Sequence, residues 1–416
     1  MSENYNIHGY DPFKNRRQIK FHVLFNLLQP LSHISETAGN ESLLKTTQMN
    51  GLDGSTVHVP VYSGNAQRNG NMGRRTSISS FLDALDVSVN RSTHQTLYSG
   101  GYIEGSTIND FDIEAQIRKT LPNLSLLGGA IPPETLGMPK GKSQMMEGRL
   151  NIGDAYLVCY ESIPYLYEQC KALLPWECME SVDLIMQARK DFISLRYDHH
   201  SGAIARVAVN KGFAKMKAIE AEHLAIVRHH MKTSSEYWEY RESVRIPSYK
   251  QFDLNRHMLS AAPKLIKGSK EDIEGKPKKE KKEAGRQMIS GAWTIQRGAQ
   301  LYAFWSSRGQ GITDLEEGAL VNTLLEFAKQ PYLGGKGNSG CGLTSVSIRY
   351  EAEGTTGDYL VLSEQSQVLS DRAAECHARY NQMIAVYQEH IAEMKAGTSI
   401  DSQVGLSILG VSNAAS

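Results

Sequence analysis

The order of the regular segments constrains this chain most: strand, helix and strand, then a long irregular stretch, then strand, helix and strand again. The first strand reads over 18–34, where Phe21, Val23, Phe25 and Leu27 alternate with other residues until Pro30 breaks the pattern. A Gly/Asn/Ser-rich loop is expected over 35–56 and a short strand over 57–64. A helix over 73–86 follows, with Ile78, Phe81, Leu82 and Leu85 on one face. Strand character returns at 149–160 and helical character at 178–194. Residues 288–307 predict one long strand or a hairpin. Next come a helix opened by a capping box from Thr313 to Glu316, a glycine-rich loop over 332–342 and a strand over 343–353. The last helix spans about 371–395, and Gly397 stops it.

Two stretches do not fit that frame. Residues 94–150 are rich in Gly and Pro around one helix at 110–121, and read as an irregular insertion. Residues 198–285 form a second insertion, with one helix and a highly charged, apolar-poor end at 267–286. The frame left after removing them suits an α+β sheet of ferredoxin or RNA-recognition (RRM) type, with helices on one face. No repeat recurs at a period of roughly 20–50 residues, which speaks against a solenoid.

Composition narrows the function classes. With 416 residues and 40% hydrophobic content the chain has enough material for a core without staples. No apolar run reaches the ~18 residues of a membrane span, and the first twenty residues lack the apolar region of a secretory signal. Five Cys without a CxxC pair argue for reduced thiols in a cytoplasmic protein, against a zinc ribbon or a disulfide framework. Lys+Arg and Asp+Glu balance at 45 each, so any polyanion site must come from local clustering or backbone N–H groups.

Five motifs carry possible chemistry. SGNAQRNGNMGRR (63–75) leads into a helix with glycines, and with Arg68, Arg74 and Arg75 as forked donors; it reads as a phosphate grip or as an exposed polar turn. GGKGNSGCG (334–342) follows a helix and precedes a strand, the reverse of a dinucleotide loop, which leaves an anion nest or a mobile connection. His33 in PLSHI either contacts a ligand at the sheet edge or serves as a structural hydrogen-bonder. The lysine run from Lys276 to Lys282 is a solvated tip or a salt-sensitive nucleic-acid contact. His199, His200, His223, His229 and His230 lack the spacing of a metal site, and no nucleophile motif is present, so neither metal nor cofactor is expected.

Taken together, PLSHI, VPVYSGNAQRNGNMGRRTSISSFLDAL, AGRQMISGAWTIQRGAQLYAFW and GGKGNSGCGLTSVSI resemble the CRISPR RAMP-superfamily backbone subunits. SLLGGAIPPETLGMPKGKSQMMEGRLNIGDAYLV resembles the type IV version, the seventh-class subunit of those effector complexes. The resemblance covers roughly 18–160 and 288–350; the Arg-Gly pair expected after SGN is here Arg68, Asn69, Gly70. It implies an RRM/ferredoxin-like palm (18–93, 151–197 and 286–397) with fingers at 94–150 and a thumb region at 198–285. It implies a non-catalytic protein that polymerises along CRISPR guide RNA and presents it to target DNA or RNA. Partners would be further copies in a helical filament, capping subunits at the guide ends and an accessory DNA helicase, with no membrane. RNA would be held at the backbone by His33, Ser63, Asn65, Arg68, Asn69, Arg74, Arg75, Lys140, Lys142, Lys336, Asn338 and Ser339, with Phe213 or Met258 as an apolar wedge. The alternatives are a target-RNA nuclease using Glu36, Glu41 or Asp53, guide-RNA processing with His33 as base, and an unrelated ferredoxin-like metabolic protein.

Overall fold

The computed structural model describes residues 11–38, 41–51, 54–89, 91–100, 106–108, 111–131, 142–170, 176–198, 203–245, 288–363 and 366–395. Its elements are mixed helices and largely antiparallel sheets, an α+β architecture.

The strands begin with β1 (Lys20–Leu27), β2 (Ile34–Ala38), β3 (Glu41–Leu44), β4 (Thr46–Asn50) and β5 (Thr56–Tyr62). Helices α1 (Gly64–Asn69), α2 (Arg74–Leu85) and α3 (Arg91–Ser99) follow, then β6 (Ser106–Ile108), α4 (Phe111–Thr120) and α5 (Pro122–Leu127). Next are β7 (Gly129–Ile131), β8 (Lys142–Met146), β9 (Leu150–Leu157), α6 (Ile163–Cys170), α7 (Trp176–Asp198) and α8 (Ala203–His230). The chain continues through β10 (Trp238–Arg245), β11 (Met288–Ile295), β12 (Gln300–Ser307) and α9 (Asp314–Ala328). It ends in β13 (Thr344–Ala352), β14 (Thr355–Leu362), β15 (Gln367–Leu369) and α10 (Asp371–Lys395).

Eight strands form one sheet in the order β15-β14-β13-β1-β12-β9-β5-β4, and every pair in it is antiparallel. The alternation in β1 does what its period requires. Phe21, Val23, Phe25 and Leu27 are all buried on one face, opposite Leu301, Ala303 and Trp305 of β12. Leu320, Val321, Leu324 and Phe327 of α9 close the same core. Each large side chain buried there stabilises the fold by about 1.5–3 kcal/mol. A second core joins α2, α9 and α10 through Phe81, Leu82, Ala319, Tyr380 and Met383.

The expected first strand is shorter than 18–34: the ladder ends at Leu27, three residues before Pro30, and Leu31 and Ser32 then bridge to Ile295 and Gly335. The expected loop at 35–56 instead carries three short strands, because β4 pairs with β5 and β2 with β3. The stretch 288–307, expected as one long strand or a hairpin, forms two strands that lie in different sheets. β11 joins a four-stranded sheet, β10-β11-β3-β2, while β12 returns to the large one. Helix α7 pairs along its length with α8, so one helical hairpin lies across the boundary expected at 197/198.

Candidate nucleic-acid interface

Three segments far apart in sequence meet just beyond the end of β1. The Gly342 N–H donates to Pro30 O at 2.8 Å and the Gly335 N–H to Ser32 O at 2.9 Å, which stitches the glycine loop to PLSHI. The Ser63 N–H donates to His33 Nε2 at 3.2 Å, with Ser63 Oγ 3.1 Å from the same nitrogen. The His33 ring meets Tyr62 edge-on at 4.9 Å. Tyr62 in turn reaches the backbone of Gly334, while burial pushes its phenol up to about 12. Ser32 is fully buried at the centre of this junction, and its Oγ has no hydrogen-bond partner among the described residues.

The loop's own geometry separates its glycines. Gly334 and Gly342 have positive φ, and a Cβ on either would lie within 2.3 Å of Ser32 O and Leu333 O respectively. Gly337 has neither reason to be glycine: its φ is not positive and nothing lies within 4 Å of its would-be Cβ. A surface glycine facing open space suits close approach by another backbone.

His33 is neutral here. Burial, then the charge of Lys45, lowers its pKa to about 4, and Nε2 accepts the Ser63 N–H. The unfolded chain takes up that proton near the ordinary pKa of 6.5, whereas the folded chain resists it until about 4. Stability from this group is therefore complete above about pH 6.5 and falls as pH drops toward 4. Replacing His33 by Gln should flatten part of the decline in urea midpoint between pH 7 and 4; an unchanged pH profile would contradict the assignment. His22 and His377, also lowered by burial, leave a residual slope.

Cations border the junction. Lys336 adopts the left-handed conformation at φ 62 and is partly exposed. Arg241 of β10 donates to Gly340 O at 3.4 Å and lies 3.6 Å from Cys341 Sγ. Sequence reading passed over Arg241, because nothing in WEYRESVR marks it out before β10 pairs with β11. Ser63 caps the start of α1, its Oγ accepting from the Ala66 N–H, and Arg68 lies in the last turn of the helix. Arg68 is half-buried near Arg308, and its Nε has no partner among the described residues. Arg75, Asn65 and Ser339 are exposed.

Other candidate residues have partners within the chain. Arg74 is 4% exposed. Its guanidinium donates to Gly128 O at 3.1 Å, Leu127 O at 3.0 Å and Asn69 Oδ1 at 2.6 Å. The counter-charge for this first-turn cation is the carbonyl end of α5, not a phosphate, because the last carbonyls of a helix lack intrahelical partners. Asn69 is engaged in the same staple. The start of α1 likewise has its anion already, since the Gly64 N–H donates to Asp154 Oδ1 at 2.7 Å.

Lys140, Met258, Asp53 and the lysine run lie outside the described residues, as do the side chains of Lys142 and Asn338. Glu36 is exposed and Glu41 accepts from Trp293 Nε1. His223 bonds Ser181 at 3.1 Å and His229 packs on His230. Among the described residues the one cluster spaced for a metal is Asp314, Glu317 and Cys376. Its carboxylates already face Arg17, Arg379 and Arg372. No helix among the described residues is long and apolar enough to cross a membrane.

No protein-family model and no curated protein matches the sequence. Solved structures do. A chain of a structure titled "Type IV-B CRISPR Complex" aligns with a TM-score of 0.38 and 12% identity, covering 81% of this chain and 92% of that one. The structure titled "Crystal structure of Thermofilum pendens Csc2" aligns with a TM-score of 0.33 and 12% identity, covering 96% and 82%. Likeness at this level decides nothing about the site.

Proposed function

We propose that this chain is a non-catalytic guide-RNA-binding backbone subunit of a CRISPR effector complex, of the type IV kind its sequence resembles. In this reading β13-β1-β12-β9, with α2 and α9, form the palm. Their spatial order supports it: numbered along the chain as β1, β9, β12 and β13, they run fourth, first, third, second, the antiparallel order of a ferredoxin-like βαββαβ unit. The thumb would include the α7–α8 hairpin, where Phe213 stands 46% exposed. Copies would follow one another along the guide, each holding a stretch of phosphate and sugar, with target recognition left to base pairing.

The observation that carries the proposal is the junction of PLSHI, YSGN and the glycine loop. It offers backbone, small side chains and bordering cations, which fits a sequence-independent grip on a polyanion. Residues suited to this contact are Asn65, Arg68, Arg75, Lys336 and Ser339, with Arg241 added; neutral His33 and the buried Ser63 hold the start of α1 in place.

Co-expression with a CRISPR repeat–spacer array tests the proposal. Discrete RNAs of repeat–spacer length in a large assembly are the expected result. Nucleic-acid-free protein, even with partner subunits present, would overturn it. Gly337→Glu sharpens the test, because the fold has room for the side chain. The variant should keep its unfolding midpoint yet lose most of its co-purified RNA; wild-type RNA content would remove the loop from the grip.

A further inference from the structure

The large sheet has a second face, turned away from α9, and part of it forms a cleft of about 350 Å³. Its size is at the lower end of small-molecule sites. Four aromatic rings line it: Tyr156 of β9, Tyr302 and Phe304 of β12, and Tyr165 of α6. Two are offered to solvent, Phe304 at 37% and Tyr165 at 49% exposure. Tyr302 is fixed from behind, its hydroxyl 2.6 Å from His22 Nδ1, and the His22 ring meets Phe304 edge-on at 5.5 Å.

A bulge sets the polar end. The β9–β12 register passes from Ala155 opposite Ala303 to Ile152 opposite Trp305, so Gly153 and Asp154 together face the single residue Phe304. Bulges re-aim side chains, and here Asp154 lines the cleft while its Oδ1 accepts the Gly64 N–H at the start of α1. Gln48 of β4 adds an amide. None of the described residues lining the cleft is a cation, and a carboxylate without a compensating cation repels phosphate. Aromatic walls take a flat ring, and Asp154 takes a hydrogen-bond donor on its edge.

We infer that this cleft holds one unstacked base of the bound RNA, of an amino-bearing kind (adenine, cytosine or guanine), with its exocyclic amine directed to Asp154. The inference rests on the RNA-binding reading above. Asp154 links the two sites physically: one carboxylate ties the start of α1, in the backbone grip, to the floor of the base cleft.

The test uses the full chain and fluorescent RNA oligomers of one length: A-rich, U-rich and abasic. Stacking alone predicts roughly tenfold weaker binding of the abasic strand, with U-rich RNA between. Tyr165→Ala with Phe304→Ala should reduce A-rich RNA to the abasic level and leave the salt dependence of binding unchanged, because the phosphate contacts lie elsewhere. Should that double variant unfold, Asp154→Asn should still erase the preference for A-rich over U-rich RNA. Equal binding of abasic and A-rich RNA to the wild-type chain would overturn the base cleft while leaving the backbone grip standing. If no RNA binds the wild-type chain, with or without partner subunits, the backbone reading fails, and saturation-transfer NMR with adenosine decides the cleft alone. Transfer lost in the variant supports the cleft; absence of transfer to the wild-type chain refutes it.

Discussion

Replacing Glu316 with alanine is expected to destabilise the protein by about 3–5 kcal/mol, the range for removing one partner of a buried ion pair. Glu316 is fully buried as the third residue of α9. Its Oε2 accepts the Thr313 N–H at 2.9 Å and the Thr313 hydroxyl at 3.1 Å, closing the capping box. Its Oε1 accepts from Arg149 at 3.0 Å and from the Ser125 hydroxyl. One side chain thus joins the start of α9, the end of α5 and the start of β9. Alanine would strand Arg149 in the interior at 6% exposure, with Pro12 O at 2.7 Å as its remaining acceptor among the described residues. Urea unfolding should show the lowered midpoint with an unchanged slope; a loss under 1 kcal/mol would mean that Arg149 finds water. Glu316→Gln separates the two roles, since the amide keeps an acceptor for the cap but not the charge for Arg149.

Neutralising Lys336 and Arg241 together, each to Gln, is expected to weaken RNA binding about tenfold near physiological salt and to lower the slope of log K against log salt by about 1.4. Both figures assume one phosphate contact per cation on single-stranded RNA. Neither side chain supports the core: Lys336 stands on the loop, and Arg241 makes a long bond to Gly340 O and a 3.8 Å ion pair with Glu239. Unfolding midpoints should therefore stay within about 0.5 kcal/mol of wild type. Anisotropy titrations at several salt concentrations give affinity and slope at once. A weaker affinity with an unchanged slope would mean that these residues shape the loop rather than meet phosphate.

Arg74 and Arg75 show how far a motif reading reaches. Both stand in the first turn of α2, and both suggested a phosphate grip. The structure turns Arg75 out to solvent and buries Arg74 against the carbonyls of Leu127 and Gly128. The sequence carries no sign of the difference, because the acceptor for Arg74 lies more than fifty residues away in an irregular insertion. Asp154 is the reverse case. It passes unmarked within a strand pattern, yet a bulge places it at both the start of α1 and the aromatic cleft.

Local physics was enough for the elements whose patterns are self-contained. The alternation of β1 and the capping box of α9 follow from side-chain period and backbone chemistry within one segment, so the sequence determined them alone. The junction of PLSHI, YSGN and the glycine loop is different, and so are the buried staple of Arg74, the arrival of Arg241 at Gly340 and the cleft between β9, β12 and α6. Each depends on which strand pairs with which and in what register. A shift of a single residue turns a side chain to the other face of a sheet, so only the tertiary structure could decide them.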